Sequence, residues 1–417
     1  MSTLLIKNVN NNNKITDIFI KDNRIEKISE HIDKGADRII EGKEKYVIPG
    51  FINMHTHAAM TLLRGIGEDM SLMDWLQNVI WPTEQKLDEE LVYWGTKLAC
   101  VEMIRSGTTC YNDQYWYLPA AQRATAEMKL RSVHSYVILD LMDKSKSEKM
   151  KDECKKMYDF SRDWPERNIF AVGIHAPYSV SEDMIRWASD FARERGLLVH
   201  LHLSETESEN LDSLKKYGMS PTKYLDSLGA LGPETLAAHC LWIDDEDIEI
   251  LAKRRVKIIH NINSNLKIAS GYRFKYREFK EAGIIVSLGT DGCASSNNLD
   301  MLETMKTTAL VQKAWRKDPT VLPMEELLSL ATLNGGLSLG LETGIIKEGY
   351  LADLSLVDVN SVAFTPNINF LANLIYSANS SCIDTVICDG NILMENKKID
   401  EEEEIIQMVN KLYKKLL

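Results

Sequence analysis

The sequence predicts an α/β protein, a (β/α)8 TIM-type barrel carrying a small β-sandwich domain assembled from both chain ends. Three observations predict it. Short β-like runs fill residues 1–50 and return after residue 345, and between them eight apolar strand candidates alternate with amphipathic segments. The 417 residues also suffice for one barrel and an accessory domain.

At the N-terminus, LLIKNV, DIFIKD, RIEKIS and YVIPG are separated by polar turns, with no helix-length periodic stretch among them. The asparagines Asn10 to Asn13 fit one such turn. The barrel is expected over residues 51–345, from the strands FINMHTH, TTCYND, RSVHSYVI, IFAVGIHA, LLVHLHLS, TLAAHC, VKIIHNI and IIVSLGTD. Their Val, Ile and Leu suit parallel strands buried on both faces. Between them, DMIRWASDFARERG and DDEDIEILAKRR read as helices, the first ending at a glycine. Residues 346–400, with GIIKEGYLADLSLVDV and CIDTVICDGNILMENKK, return to short β runs and are expected to join residues 1–50. The tail, 401–417, runs from acidic to basic, the order that suits the dipole of a C-terminal helix.

Hydrophobic residues are 44% and charged residues 26% of the chain, the balance of a globular protein and not of a disordered one. No apolar run approaches the ~20 residues a bilayer requires. The opening MSTLLIKNVNNNNK lacks the basic and apolar regions of a signal peptide, so a cytoplasmic location is expected. A net charge of −12 argues against nucleic acid, whose phosphates need clustered Lys and Arg. A homo-oligomer is compatible with the sequence. Seven cysteines stand singly, with no CxxC pair, which points to reduced buried thiols instead of disulfides or a thiolate metal site.

The chemistry lies in where polar residues fall. His55 and His57 end the first strand candidate, and His175 ends the fourth. His200 and His202 lie in the fifth, His239 ends the sixth, and Asp291 ends the eighth. In a parallel barrel the C-terminal strand ends converge on one mouth, so these residues can meet there. Residues two apart in a strand point the same way, so His55 and His57 can reach one ion together. His202 precedes Glu205 at the start of a loop, which favours it as the ligand and puts His200 one layer deeper. Three neutral imidazoles with Asp291 make a nitrogen-rich site with room for water, suited to zinc and also compatible with iron or manganese. A divalent ion there makes water easier to deprotonate near neutral pH. His134 and His260 lack partners at useful spacing and read as structural, and His31 reads as solvent-facing. No HExxH, HxE…PCxxC, GxSxG or GxxxxGK[ST] pattern occurs, which excludes the zincin, small zinc-deaminase, serine-hydrolase and P-loop designs.

The stretches PGFINMHTHAAMTLLRG, WLQNVIWPTE, HAPYSVS, HLHLSET, AAHCLW, HNINSNLKIASG and LGTDGCASSNNLDM run in order over residues 49–301. Together they resemble the amidohydrolase superfamily, and within it the branch of 5′-methylthioadenosine/S-adenosylhomocysteine deaminases. GIIKEGYLADLSLVDV also resembles that superfamily's small β domain. The resemblance implies deamination of the adenine ring of a nucleoside to the inosine form, with one divalent metal on His55, His57, His202 and Asp291. It implies that Glu205 moves a proton to the ring nitrogen, and that His239 and Asp291 position water and accept its proton. His175 and Glu84 match substrate-contacting positions, Glu84 at the ribose hydroxyls, while Glu205 and Asp291 also face the substrate. Two-metal relatives carry a carboxylated lysine on the fourth strand, where IFAVGIHA has none, so a single metal is expected. Trp81, near Glu84, either stacks on substrate or packs beneath its loop; Trp75 and Trp116 pose the same choice.

Two positions depart from the branch. Relatives that accept S-adenosylhomocysteine resemble one another in an arginine late in the third strand, where this chain has Tyr136, although Arg131 is retained earlier. Tyrosine cannot replace a bidentate guanidinium, so methylthioadenosine or adenosine is as fitting a substrate. HNINSN has Ile262 where proline is usual, which bears on the seventh loop. The alternative is a related amidohydrolase acting on guanine, a pterin or a triazine, since only the pocket need change.

Overall fold

The computed structural model describes residues 2–416. Both chain ends build one hydrogen-bonded sheet. From the N-terminal side come β1 (Thr3–Asn11), β2 (Lys14–Lys21), β3 (Arg24–Ser29), β4 (Arg38–Glu41) and β5 (Lys45–Pro49). The barrel strands are β6 (Phe51–Thr56), β7 (Thr108–Tyr115), β8 (Arg131–Ile138), β9 (Asn168–Ile174), β10 (Leu198–Leu203), β11 (Thr235–His239), β12 (Lys257–His260) and β13 (Val286–Leu288). The C-terminal side returns β14 (Leu354–Asp358), β15 (Ile383–Cys388) and β16 (Asn391–Met394) to the first sheet, in the order β16-β15-β14-β5-β1-β2-β3 with β4 also on β1.

Strand β1 forks this sheet. Leu4 to Lys7 pair with β4, Asn10 pairs with β5, and a bulge falls between Ile6 and Val9, where Asn8 takes a positive φ. Ile6, Ile18, Ile40 and Val47 from the first end pack with Leu354, Leu356 and Ile387 from the second, so the two ends share one core. The short, polar-flanked β4 (RIIE) is an element the sequence pattern did not single out.

The eight barrel strands run parallel in chain order, and β6 and β7 are buried along their whole length. Burial on both faces is why neither strand shows an inside–outside alternation, although β7 (TTCYNDQY) carries polar residues toward its C-terminal end. Helix Glu182–Arg195 begins with two acids and ends at Gly196 in the left-handed conformation (φ 65°). Helix Asp245–Arg254 opens on a capping box between Asp244 and Asp247. The tail forms helix Glu402–Leu412, whose Val409 and Leu412 join Leu91 and Val92 of helix Glu89–Arg105. All seven cysteines are buried and free. Among the described residues no helix is long and apolar enough to cross a membrane.

Ladder hydrogen bonds join every neighbouring pair of barrel strands except β13 and β6. That seam is closed otherwise. The Asp291 N–H donates to His55 O at 2.9 Å. Asn53 reaches across in both directions, accepting from Thr290 N (3.0 Å) and donating to Thr290 Oγ1 (2.7 Å). At the other end of the barrel Arg131, the first residue of β8, ties the two sheets together. Its guanidinium meets Asp353 (2.8 and 3.2 Å) and Asp389 (2.9 Å), and both Arg131 and Asp353 are buried. Arg131 therefore lies in the junction and does not line the barrel mouth. Arg131→Ala leaves a buried carboxylate unpaired, so a loss of about 3–5 kcal/mol is expected, read as a lower midpoint in thermal or urea unfolding. An unchanged midpoint would take this ion pair out of the junction.

Candidate active site

Four side chains predicted from three strands, the first, fifth and eighth, arrive at one place. His57 Nε2 lies 3.3 Å from His202 Nε2 and 3.3 Å from Asp291 Oδ1, and His55 Nε2 lies 3.4 Å from the same oxygen. Zinc bound tetrahedrally at about 2.0–2.1 Å implies ligand-to-ligand separations of roughly 3.3–3.4 Å. The observed spacings match that figure.

Each imidazole is turned so that Nε2 faces inward. His57 Nδ1–H donates to Gln114 O at 2.7 Å, and His202 Nδ1–H donates to His175 O at 2.7 Å. Both acceptors are carbonyls, so the proton must sit on Nδ1 and the Nε2 lone pair is free. His55 Nδ1 pairs with His200 Nε2 at 2.7 Å, which makes His200 the residue that orients His55, one layer deeper as its spacing suggested. The buried His55 Nε2 has no hydrogen-bond partner. Lone pairs facing one another in a buried site repel unless a cation lies between them. The donor set, its spacing and its orphaned nitrogen fit a divalent metal.

Electrostatics agree. Burial pulls His55, His202 and His239 below the ordinary histidine range, to about 3 for His239, so the imidazoles are neutral, as ligands must be. Burial opposes the charge of Asp291, yet contact with His55 and the nearness of His57 and His239 hold its carboxyl well below the usual range. Asp291 Oδ1 accepts from Gly292 N (2.8 Å) and Oδ2 from Ser264 Oγ (2.7 Å). The GTDG glycines permit this closeness. A Cβ on Gly289 would come within 2.8 Å of His55 Cβ, and one on Gly292 within 2.7 Å of Met60 Sδ.

Glu205 and His239 border the cluster. Burial, then the charges of Asp291 and Glu209, push the Glu205 carboxyl well up. Its backbone N–H is held by Glu209 at 2.8 Å, and its Oε1 lies 3.7 Å from His239 Nδ1. The Asn265 amide donates to His239 Nδ1 at 2.8 Å, leaving the proton on His239 Nε2, which is buried and unpartnered. His239 and Asp291 take positive φ (72° and 66°), strained conformations at strand ends whose side chains face the mouth.

The cavity above is lined by His57, His175, His202, Glu205, His239 and Asp291 on its floor, and by Trp75, Trp81, Glu84 and Trp116 higher up. Every site residue expected from the sequence therefore faces one space, apart from His55, which lies fully buried beneath it. His175 Nδ1 is fixed by Ser179 Oγ at 2.7 Å. Glu84, raised chiefly by burial, faces Tyr115 and Trp116. His134 and His260 do not line it: His134 packs edge-on to Tyr111 and Trp164, and His260 stacks on Phe274 at 3.9 Å. Ile262 is the first residue of helix Ile262–Lys267, a position where proline and isoleucine both fit. Sequence reasoning missed Gln114, Ser264 and Asn265. Their signal was polar residues inside apolar strand and loop motifs, NDQ in the second strand and NSN after the seventh.

A parallel barrel with histidines and an aspartate gathered at its strand ends defines the metal-dependent amidohydrolases. The family model described as amidohydrolase family matches residues 46–393, and the chain belongs to that family. It is 44% identical over 395 residues to a 5′-deoxyadenosine deaminase of Methanothermobacter thermautotrophicus, covering 93% of this chain and 91% of that protein. It is likewise 44% identical over 385 residues to 5-methylthioadenosine/S-adenosylhomocysteine deaminase 1 of Archaeoglobus fulgidus, covering 91% and 90%. Among solved structures it resembles an adenosine deaminase from Xanthomonas campestris with bound zinc, with a TM-score of 0.94, 30% identity, and 100% and 98% of the two chains covered.

Metal analysis is expected to return one divalent ion per chain for the wild type. His57→Ala is expected to lose that ion on dialysis, and a variant that kept it would exclude this cluster as the metal site.

Proposed function

We propose that this enzyme removes the exocyclic amino group from the adenine ring of a nucleoside, with adenosine, methylthioadenosine or a close relative as substrate, releasing ammonia. The observation that carries the proposal is the 3.3–3.4 Å cluster of His57, His202, His55 and Asp291, with a protonatable Glu205 beside it. The names of the relatives, all deaminases of adenosine derivatives, support it.

In this reading His55, His57, His202 and Asp291 hold one ion, zinc, with iron and manganese compatible with the same donors. The bound ion supplies the Lewis acidity that makes hydrolytic water easier to deprotonate near neutral pH. The chain's own residues do the rest. Asp291 takes the proton of the water, being kept ionised and oriented by Ser264 and Gly292, while His239, whose Nδ1 accepts from Asn265 and whose Nε2 already carries a proton, helps to position that water and is not a base. Glu205 begins protonated because it is buried, and donates to the ring nitrogen next to the attacked carbon, which makes that carbon electrophilic. His239 Nε2–H offers a fixed donor where negative charge develops. His175 contacts the substrate from the cavity wall, and Glu84 accepts from the ribose hydroxyls. Trp81, above the same cavity, offers a face for stacking.

Glu205→Gln is expected to keep fold and metal content while kcat falls by about two to four powers of ten. Near-normal turnover in that variant would remove Glu205 from the mechanism. Glu84→Ala should raise KM for adenosine by roughly tenfold or more and matter little for free adenine, as checked by ammonia release. Equal effects on both would place Glu84 away from the ribose.

A further inference from the structure

The cavity over the histidine cluster continues past Glu84 into a second groove. Trp81, Glu84, Tyr115, Trp116, Val137 and Leu139 line both spaces, and beyond them the groove runs out along Tyr136, Met150, Glu153 and Met157. We propose that this groove receives the 5′ substituent of the nucleoside and selects for one that is uncharged or cationic, rejecting one that ends in a carboxylate. The proposal rests on the nucleoside reading above: with the base over Glu205 and the ribose at Glu84, the remainder of the molecule has this way out.

The walls suit a thioether or alkyl chain. Leu139, Leu141, Met150 and Met157 supply apolar, adaptable surface. The charges are unbalanced. Glu84, Glu89 and Glu153 line the groove against a single ammonium, Lys146, which is exposed at its rim, and no arginine lines it among the described residues. Lys149 lies 3.7 Å from Glu153 on the same helix, but its side chain is 77% exposed, so water screens it heavily.

Tyr136 adds to this. Its hydroxyl donates to Glu153 Oε2 at 3.0 Å, so its one proton is committed and only lone pairs remain for a ligand. An incoming carboxylate meets acceptors and like charge, and the Gln85 amide in the lining offers it a neutral donor without a countercharge. An ammonium or a methyl group meets neither obstacle.

The test uses three adenosines bearing 5′-thioether chains of matched length that end in methyl, ammonium or carboxylate. kcat/KM is measured on metal-loaded wild type, Glu153→Gln and Tyr136→Arg, with adenosine as a fourth substrate. The readout is the methyl-to-carboxylate ratio within each protein, so any general change in activity cancels. The wild type is expected to use the carboxylate-ended substrate roughly tenfold less well than the methyl-ended one. The gap should narrow by about threefold in Glu153→Gln and close or reverse in Tyr136→Arg, which introduces a bidentate partner. A wild type indifferent to the terminal group, or a gap unchanged in both variants, overturns the proposal. Failure to deaminate any of the four substrates overturns the nucleoside reading instead.

Discussion

The structure depends on the seam where the last barrel strand meets the first. Every other pair of barrel strands is zipped by ladder bonds, whereas β13 and β6 meet through the Asp291 N–H on His55 O and the Asn53–Thr290 exchange. That closure is made by site residues. The bond that completes the barrel also sets the Asp291 carboxylate against His55 and His57, so the cluster forms only when the barrel closes. Gly289 and Gly292 leave the space for it, and the positive φ of Asp291 is the strain stored in return.

Burying so many titratable groups in one mouth is unfavourable unless each has a defined state. The fold supplies that state from the outside. Carbonyls of Gln114 and His175 hold protons on the Nδ1 atoms of His57 and His202, His200 orients His55, and Asn265 fixes His239. Among the buried nitrogens left without partners, those of His55 and His239 lie in this cluster, where the proposed ion and substrate would engage them. Stability is handled at the other end of the barrel. The buried Arg131–Asp353–Asp389 network joins the two sheets far from the chemistry, in keeping with the division of barrel faces between stability and catalysis.

The pocket separates shared chemistry from individual selectivity. In the proposed reaction Glu205, His239 and Asp291 on the floor act on the ring, whatever the ring carries. In the same proposal the groove beyond Glu84, with its methionines and the Tyr136–Glu153 pair, meets only what differs between substrates. A guanidinium at position 136 would make a carboxylate receptor of it; a hydroxyl already given to Glu153 does not.

The strand series, the sheet shared by both ends and the side chains that gather at the barrel mouth were all legible in the order of residues. They could be read there because strand periodicity fixes which residues share a face, and parallel strands bring their C-terminal ends together. The roles of Gln114, Ser264 and Asn265, the closing seam at Asn53, and the place of Arg131 were decided only by tertiary structure. Each acts through a backbone group or a partner distant in the chain, and periodicity carries no information about such partners. The pairing of Tyr136 with Glu153 is likewise tertiary: a strand and the helix that follows it must pack before a hydroxyl finds its acceptor.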